Sequence, residues 1–219
     1  YNGEMEFVIG NILGSNIANI GLVLGLSTLF YNIYCNIRKV KLDIAFLSIA
    51  SIIFSVILYY HMIEKSYGII LLVLLCIYIY IIFTSNKANV DIGGSSLGNE
   101  SVSQLIIGVF IGAVGLSIGS QLLINGAIGI AESFGVSHLA IGATVIALGT
   151  SLPELATSLN AARKKEFELL LGNIFGSNII NITFVFGVSL IVNNNTYNVS
   201  VIPEYHLIIF SLITLNFII

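Results

Sequence analysis

Two stretches decide the fold: GNILGSNIANIGLVLGLSTL at residues 10–29 and GNIFGSNIINITFVFGVSLI at residues 172–191. They match at 12 of 20 positions without a gap, which chance similarity between two apolar helices would rarely produce. The matched positions are glycines, amides, hydroxyls and aliphatic residues in a fixed order. The sequence therefore contains an internal repeat.

Composition sets the environment of that repeat. Hydrophobic residues make up 57% of the 219-residue chain and charged residues 9%, a balance that no soluble domain could carry without a mostly apolar surface. We expect an all-α, multi-pass protein in a lipid bilayer. The 8 basic residues are clustered and the net charge is -3, so nucleic acid is not an expected partner.

The apolar stretches predict how often the chain crosses the membrane. A spanning helix needs about 20 apolar residues, and helices satisfy their own backbone groups in hydrocarbon. Seven spans are predicted, at residues 7–30, 42–62, 67–85, 103–131, 137–161, 168–192 and 203–219. The two copies lie on spans one and six, an odd number of crossings apart. They form an inverted repeat, an architecture in which transporter ion sites lie at the repeat interface.

Basic residues predict the orientation. Seven of the eight follow spans one, three or five: Arg38, Lys39, Lys41, Lys87, Arg163, Lys164 and Lys165. The positive-inside rule then places Tyr1 outside and loops 31–42, 86–102 and 162–168 inside. We expect residues 87–102 to be a cytoplasmic linker. It separates residues 1–86, the three-helix remainder of the first inverted repeat, from residues 103–219, the second repeat with four helices, the last incomplete.

The two copies differ in what precedes them. IGATVIALGTSLPELATS at residues 141–158 stands before the second copy, whereas only nine residues precede the first. The chain also starts without an initiator Met and stops within an apolar run. We expect it to be truncated at both ends.

Glu154 is the acid placed deepest within a predicted span. A carboxylate at the centre of a spanning helix costs about 2.5–3.5 kcal/mol, and no basic residue is near it in sequence, so a bound cation is the natural compensation. Pro153 should break the helix and free carbonyl oxygens of the preceding turn. Ser151 and Glu154 have capping-box spacing. The alternative is a proline kink with a protonated Glu154 bonded to a neighbouring helix.

The repeats add hydroxyl and amide oxygens. Ser15 and Asn19, like Ser177 and Asn181, are four residues apart and share a helix face; Asn16 and Asn178 lie between them. Such neutral oxygens together with a carboxylate suit Ca²⁺, which takes six to eight oxygen ligands, and also Na⁺. The alternative is helix packing through the small-xxx-small motifs that begin at Gly10 and Gly172. Both interpretations can hold together.

These motifs resemble a known family. GATVIALGTSLPE at 142–154 with GNIFGSN at 172–178 is similar to the second α-repeat of the sodium/calcium exchanger family, and GNILGSNIANIG at 10–21 resembles the end of the first. The resemblance implies an inverted-repeat sodium/calcium exchanger-like fold, with about seven of an expected ten transmembrane helices present. It also implies exchange of Na⁺ for Ca²⁺ by alternating access.

The resemblance further implies a ligand set for the ions. That set is Glu154, Thr150, Ser151, the Ala147 carbonyl, Ser177, Asn181, Ser15 and Asn19. The family's second acidic ligand belongs to an earlier GTSxPE element that this chain does not contain. Missing N-terminal helices or a second copy of the chain would have to supply it. Asn181 stands where several members carry Asp, so the site has one potential negative charge fewer.

Other functions stay open at this point. A K⁺-dependent or H⁺-coupled cation exchanger is the nearest alternative, followed by a channel and by a non-transporting fragment that lacks half of the ion site. An enzyme is not expected, because no nucleophile–base pair or phosphate loop is present. No cofactor is expected beside the transported ions. Without long insertions or sorting motifs, a prokaryotic plasma membrane is the expected location.

Overall fold

The computed structural model describes residues 3–60, 63–86, 102–135 and 147–192, and these residues form helices and no strand. The first part of the chain forms α1 (Gly3–Ala18), the π-helix π1 (Asn19–Leu24), α2 (Gly25–Phe30), α3 (Ile37–Tyr59) and α4 (Lys65–Asn86). The second part forms α5 (Val102–Ser133), α6 (Ala147–Thr150), α7 (Leu152–Arg163), α8 (Phe167–Ile180), the π-helix π2 (Asn181–Phe186) and α9 (Gly187–Val192). The fold of the described residues is therefore all-α, as predicted.

Five of these helical stretches are long and apolar enough to cross a membrane. They are Val8–Phe30, Ile37–Tyr59, Lys65–Thr84, Phe110–Ile130 and Phe167–Val192. They correspond to predicted spans one, two, three, four and six. Predicted span seven, residues 203–219, and the first ten residues of span five lie outside the described residues.

The start of the second span differs from the prediction. Helix α3 begins at Ile37 rather than at residue 42, because the side chain of Asn36 caps it by accepting a hydrogen bond from the Arg38 amide at 3.0 Å. Arg38, Lys39 and Lys41 therefore lie in the first turns of α3 and not in a loop. The connection after α2 is reduced to residues 31–36.

The predicted break in span five is present at Ser151. Helix α6 ends at Thr150, and α7 begins at Leu152 with Pro153 in its first turn. Between them the Ser151 amide donates to the Leu148 carbonyl at 3.2 Å. Pro153 has no N–H to donate to a carbonyl of the preceding turn, so the chain changes from one short helix to another here.

Both copies of the repeat follow the same path. The first runs through α1, π1 and α2, and the second through α8, π2 and α9, without a break. The π-segments begin at Asn19 and Asn181, which are equivalent positions of the repeat. Single π-turns within α-helices often occur at functional sites.

The two copies share one hydrophobic core. Helices α3 and α4 pack against α8, π2 and α9, and α1 and π1 cross α8 and π2. Phe54 of α3 meets Phe186 of π2 edge to face, with ring centroids 4.8 Å apart. Ile174 and Phe175 of α8 are almost fully buried in the same cluster. Packing of each copy therefore depends on the other.

Close glycine packing occurs at a place that the sequence did not indicate. A Cβ added at Gly172 or Gly176 would meet no described atom within 4 Å, so the second small-xxx-small motif makes no tight contact within the described residues. By contrast, a Cβ at Gly68 of α4 would lie 2.5 Å from the Gly187 carbonyl oxygen of α9. Helices α4 and α9 therefore approach each other closely through Gly68 and Gly187.

Candidate functional site

Four asparagines hold the two copies together where they cross. Asn16 Nδ2 donates to the Asn178 carbonyl, and Asn178 Nδ2 donates to the Asn16 carbonyl, both at 3.3 Å. Asn19 Nδ2 donates to Asn178 Oδ1 at 2.9 Å, and Asn181 Nδ2 donates to Asn16 Oδ1 at 3.0 Å. We call Asn16, Asn19, Asn178 and Asn181 the asparagine clasp. Its hydrogen bonds obey the two-fold relation of the repeat.

The helix break of α6 and α7 lies against the first copy. Thr150 Oγ1 lies 2.9 Å from Ser15 Oγ and donates to Asn11 Oδ1 at 3.2 Å. Helix α6 packs on α1, and α7 packs on π1. Thr150 and Ser15, which the resemblance placed in one ligand set, are therefore in direct contact although they are 135 residues apart.

The second copy is tied to α7 through Asn173. Its Nδ2 donates to Ser158 Oγ at 3.0 Å and to the Glu154 carbonyl at 3.3 Å. This amide contacts the main chain of the residue that carries the buried acid. It thereby fixes α7, and with it the Glu154 side chain, relative to α8.

Three buried side-chain oxygens have no hydrogen-bond partner within the described residues: Asn19 Oδ1, Ser151 Oγ and Glu154 Oε2. Each belongs to the predicted ligand set. An unpaired buried polar atom costs about 1–3 kcal/mol, so three such atoms in one predicted ligand set are unusual. The protonated alternative for Glu154, bonded to a neighbouring helix, has no such bond at this oxygen.

The remaining predicted residues fall in the same region. Ser177 Oγ donates to the Asn173 carbonyl at 2.6 Å and accepts from Asn19 Nδ2 at 3.3 Å. Ala147 is the first residue of α6. Asn181 is partly buried at the start of π2. All eight predicted residues are thus carried by α1, π1, α6, α7, α8 and π2 or by the turn at Ser151.

One local prediction was wrong. The Ser151–Glu154 spacing predicted a capping box, but Ser151 makes no side-chain cap hydrogen bond. The backbone of Ser151 has φ -88° and ψ -1°, whereas a capping residue normally has an extended backbone that turns its side chain onto the first turn. Its hydroxyl has no hydrogen-bond partner in the described part of the chain.

Two functional residues were missed from the sequence. Asn11 and Asn173 occupy equivalent positions in the repeat, next to the first glycine of each copy, and each makes hydrogen bonds to the helix break. The repeat could have identified them, because both copies retain an asparagine at this position. A buried amide in an apolar helix needs a polar partner.

The charge around the site is sparse. The described residues contain no group of three or more His, Cys, Asp and Glu side chains suited to a metal. The salt bridge between Lys39 and Glu168 joins α3 to α8 and does not involve Glu154. A single carboxylate among hydroxyl and amide oxygens is a donor set for hard cations such as Na⁺ and Ca²⁺ rather than for transition metals.

Comparison with known families identifies the family of the chain. The sequence profile of the sodium/calcium exchanger protein family matches residues 1–84 and 104–219. The chain belongs to this family.

Two curated relatives illustrate the similarity. The inner membrane protein YrbG of Escherichia coli (strain K12) is 30% identical over 198 residues, which cover 86% of this chain and 61% of the relative. The sodium/calcium exchanger MaX1 of Methanosarcina acetivorans is 28% identical over 222 residues, covering 83% of this chain and 63% of the relative. The chain therefore spans about six tenths of the length of these relatives.

Solved structures show the same fold. A structure of the sodium-calcium exchanger NCX_Mj, soaked with Na⁺ and Sr²⁺, superimposes with a TM-score of 0.69 at 32% identity. The match covers 96% of this chain and 68% of that one. The helices of this family member thus have the exchanger fold that the repeat motifs predicted.

Proposed function

We propose that the protein is part of a secondary antiporter that exchanges Na⁺ for Ca²⁺ across a membrane by alternating access. One observation carries the proposal: Asn19 Oδ1, Ser151 Oγ and Glu154 Oε2 are buried and have no hydrogen-bond partner among the described residues. A cation coordinated by these oxygens would supply the partner that each of them lacks. The family membership supports the same conclusion.

The proposed ligands are those that the sequence suggested. Glu154 supplies the negative charge, and Ser15, Asn19, Thr150, Ser151, Ser177, Asn181 and the Ala147 carbonyl supply neutral oxygens. Na⁺ and Ca²⁺ are of similar size, so the site would distinguish them chiefly by charge. The ions are cargo rather than cofactors, and the protein would break no covalent bond, so we propose no enzymatic activity.

Coupling requires that the ions compete. If several Na⁺ ions and one Ca²⁺ ion use overlapping oxygens, occupation by one excludes the other. Their affinities must also differ between the inward-facing and outward-facing states, because a ligand shifts an equilibrium only through differential binding. The π-segments begin at Asn19 and Asn181. A change between the inward-facing and outward-facing states at these segments would alter both copies.

The proposed architecture follows the inverted repeat. Residues 1–86 would belong to the first repeat, residues 87–102 to a cytoplasmic linker and residues 103–219 to the second repeat. A second carboxylate would come from further N-terminal helices or from a second copy of the chain. The named location of YrbG, an inner membrane, supports a prokaryotic plasma membrane for this chain.

Ca²⁺ uptake into Na⁺-loaded vesicles tests the proposal. We expect uptake that requires the Na⁺ gradient and that is abolished by Glu154→Gln, because the amide cannot neutralise a divalent cation. Glu166→Gln is the matched control, since it changes an exposed acid outside the helix break and should leave uptake intact.

Other outcomes separate the alternatives. Uptake that ignores the Na⁺ gradient would indicate a channel. Uptake that requires K⁺ or a proton gradient would replace the proposal by the corresponding exchanger. If neither this chain nor an N-terminally extended one exchanges the ions, the antiporter proposal fails.

A further inference from the structure

In the inner pair of the asparagine clasp, the amide nitrogen and the oxygen of each side chain are already hydrogen-bonded to protein. Asn16 and Asn178 are both fully buried, at 0% exposure. The amide of each donates to the carbonyl of the other, and the side-chain oxygen of each accepts from an asparagine of the opposite copy. Both ends of both side chains are therefore occupied by protein.

The outer pair of the clasp is different. Asn19 donates through Nδ2 to Asn178 Oδ1 and also to Ser177 Oγ, so its amide group is held by the opposite copy. The Oδ1 atom of Asn19 is buried and has no partner within the described residues. Because nitrogen and oxygen lie on opposite sides of a planar amide, fixing the nitrogen also fixes the direction of the oxygen.

The same relation holds in the other direction. Asn181 donates to Asn16 Oδ1 at 3.0 Å, so its oxygen faces away from the crossing. Without that acceptor the amide could rotate about its terminal torsion, which is broad for Asn. The copy that carries an outer asparagine therefore does not set its orientation; the opposite copy does.

We propose that Asn16 and Asn178 are positioning residues for the ion site. Asn178 holds the Asn19 amide so that its oxygen faces the cation, and Asn16 does the same for Asn181. This inference rests on the proposed cation exchange. It adds that each repeat orients an oxygen of the other, so movement of one repeat at the crossing alters both halves of the site.

A purely structural clasp would have other consequences. Its loss would loosen the crossing of α1 and α8 and weaken ion binding through the whole site, whichever asparagine was changed. A positioning role instead acts along two defined pairs, Asn178 with Asn19 and Asn16 with Asn181. Double-mutant cycles distinguish these cases.

The measurement is Ca²⁺ affinity of the full chain in lipid nanodiscs, with Na⁺ as competitor. We expect Asn19→Ala and Asn178→Ala each to weaken Ca²⁺ binding roughly 10-fold. The in-pair double variant of these two should also lose roughly 10-fold, because either change removes the same oriented oxygen. The cross-pair double variant, Asn178→Ala with Asn181→Ala, should lose roughly 100-fold.

A conservative variant provides the second readout. Asn178→Asp keeps an oxygen that can accept from Asn19 Nδ2, so it should recover most of the affinity that Asn178→Ala loses. If this recovery runs through Asn19, it should disappear in the Asn19→Ala background. Recovery that persists there would show a general charge effect and would overturn the inference.

Thr183→Val is the matched control on π2. Thr183 is as buried as Asn178, and its hydroxyl donates within the same copy of the repeat, to the Ile179 carbonyl of α8 at 2.7 Å. It should leave Ca²⁺ affinity unchanged.

The outcomes separate the two proposals. If the wild-type chain binds Ca²⁺ but the in-pair and cross-pair doubles lose equal affinity, the positioning role is wrong and the exchange proposal stands. If the wild-type chain shows no saturable Ca²⁺ binding that Na⁺ can displace, the exchange proposal fails, and the positioning role falls with it.

Discussion

In the first copy of the repeat, Asn11 accepts hydrogen bonds from Ser15 and Thr150, whereas its counterpart Asn173 donates to Ser158 and to the Glu154 carbonyl. The two residues hold the same position in nearly the same sequence. Asn173 meets α7, which follows the break at Ser151, and Asn11 meets α6, which precedes it. An identical residue thus takes the opposite hydrogen-bonding role according to the surroundings of its copy.

Other features are the same in both copies although the copies pack against different helices. Both copies change from α- to π-helix at the equivalent asparagine. Ser27 donates to the Val23 carbonyl at 2.7 Å, and its counterpart Ser189 donates to the Val185 carbonyl at 2.6 Å. Backbone path and local side-chain bonds are therefore properties of the repeated sequence, while contacts between elements are properties of position in the fold.

The largest expected effect concerns two equivalent glycines whose surroundings differ between the copies. Gly25 and Gly187 are equivalent, yet a Cβ at Gly25 would meet no described atom within 4 Å, whereas Gly187 packs against Gly68 of α4. We expect Gly68→Ala to destabilise the protein by about 3 kcal/mol, because its Cβ would press on the main chain of α9. Gly25→Ala should be neutral or stabilising by up to about 1 kcal/mol, since Ala favours helix.

Thermal unfolding of the purified protein in detergent measures both changes. Equal losses of stability for Gly68→Ala and Gly25→Ala would contradict the comparison, since they would mean that the surroundings of Gly25 are as crowded as the contact between Gly187 and Gly68.

The second test compares the two asparagines that begin each copy. Asn173→Leu should weaken Ca²⁺ binding roughly 10-fold, because it removes the hydrogen bond to the main chain of Glu154. Asn11→Leu should cost about 0.5–1 kcal/mol of binding free energy, since it affects only the hydroxyls of Ser15 and Thr150. Calorimetric titration with Ca²⁺ measures both affinities, and the reverse order would show that α6 rather than α7 fixes the acid.

Much of the fold could be predicted from sequence, because few backbone structures satisfy their own hydrogen bonds within a lipid bilayer. The lengths of the apolar stretches predicted the five spans that the structure describes. The internal repeat predicted that the two copies meet. The helix break was predictable because Pro153 lacks an N–H. The start of α3 was not, since Arg38, Lys39 and Lys41 are polar enough to indicate a loop, and the Asn36 cap outweighs that preference.

The sequence predicts which residues form the candidate site but not the hydrogen bonds that join them. Ser15 and Thr150 meet as the motifs implied. The clasp could not be deduced, because spacing within one helix does not reveal which residue of another helix it meets. The capping box failed for a related reason: Ser151 has the right spacing but, at ψ -1°, a backbone that does not suit a cap.

The smallest expected effect concerns the ion pair that joins α3 to the second copy. Lys39 Nζ lies 2.5 Å from Glu168 Oε1, and the two side chains are 59% and 56% exposed. Solvent screens such a pair, so a double-mutant cycle with Lys39→Met and Glu168→Gln should give a coupling energy of about 0.2–1 kcal/mol at low salt. At 1 M salt, where the Debye length is about 3 Å, the coupling should nearly vanish. A coupling energy that stayed above about 1 kcal/mol at high salt would contradict this expectation. The exposed ion pair, and not the buried contacts around Leu170 and Ile174, would then hold the second copy against α3. The contrast between the copies would then rest on charge rather than on packing.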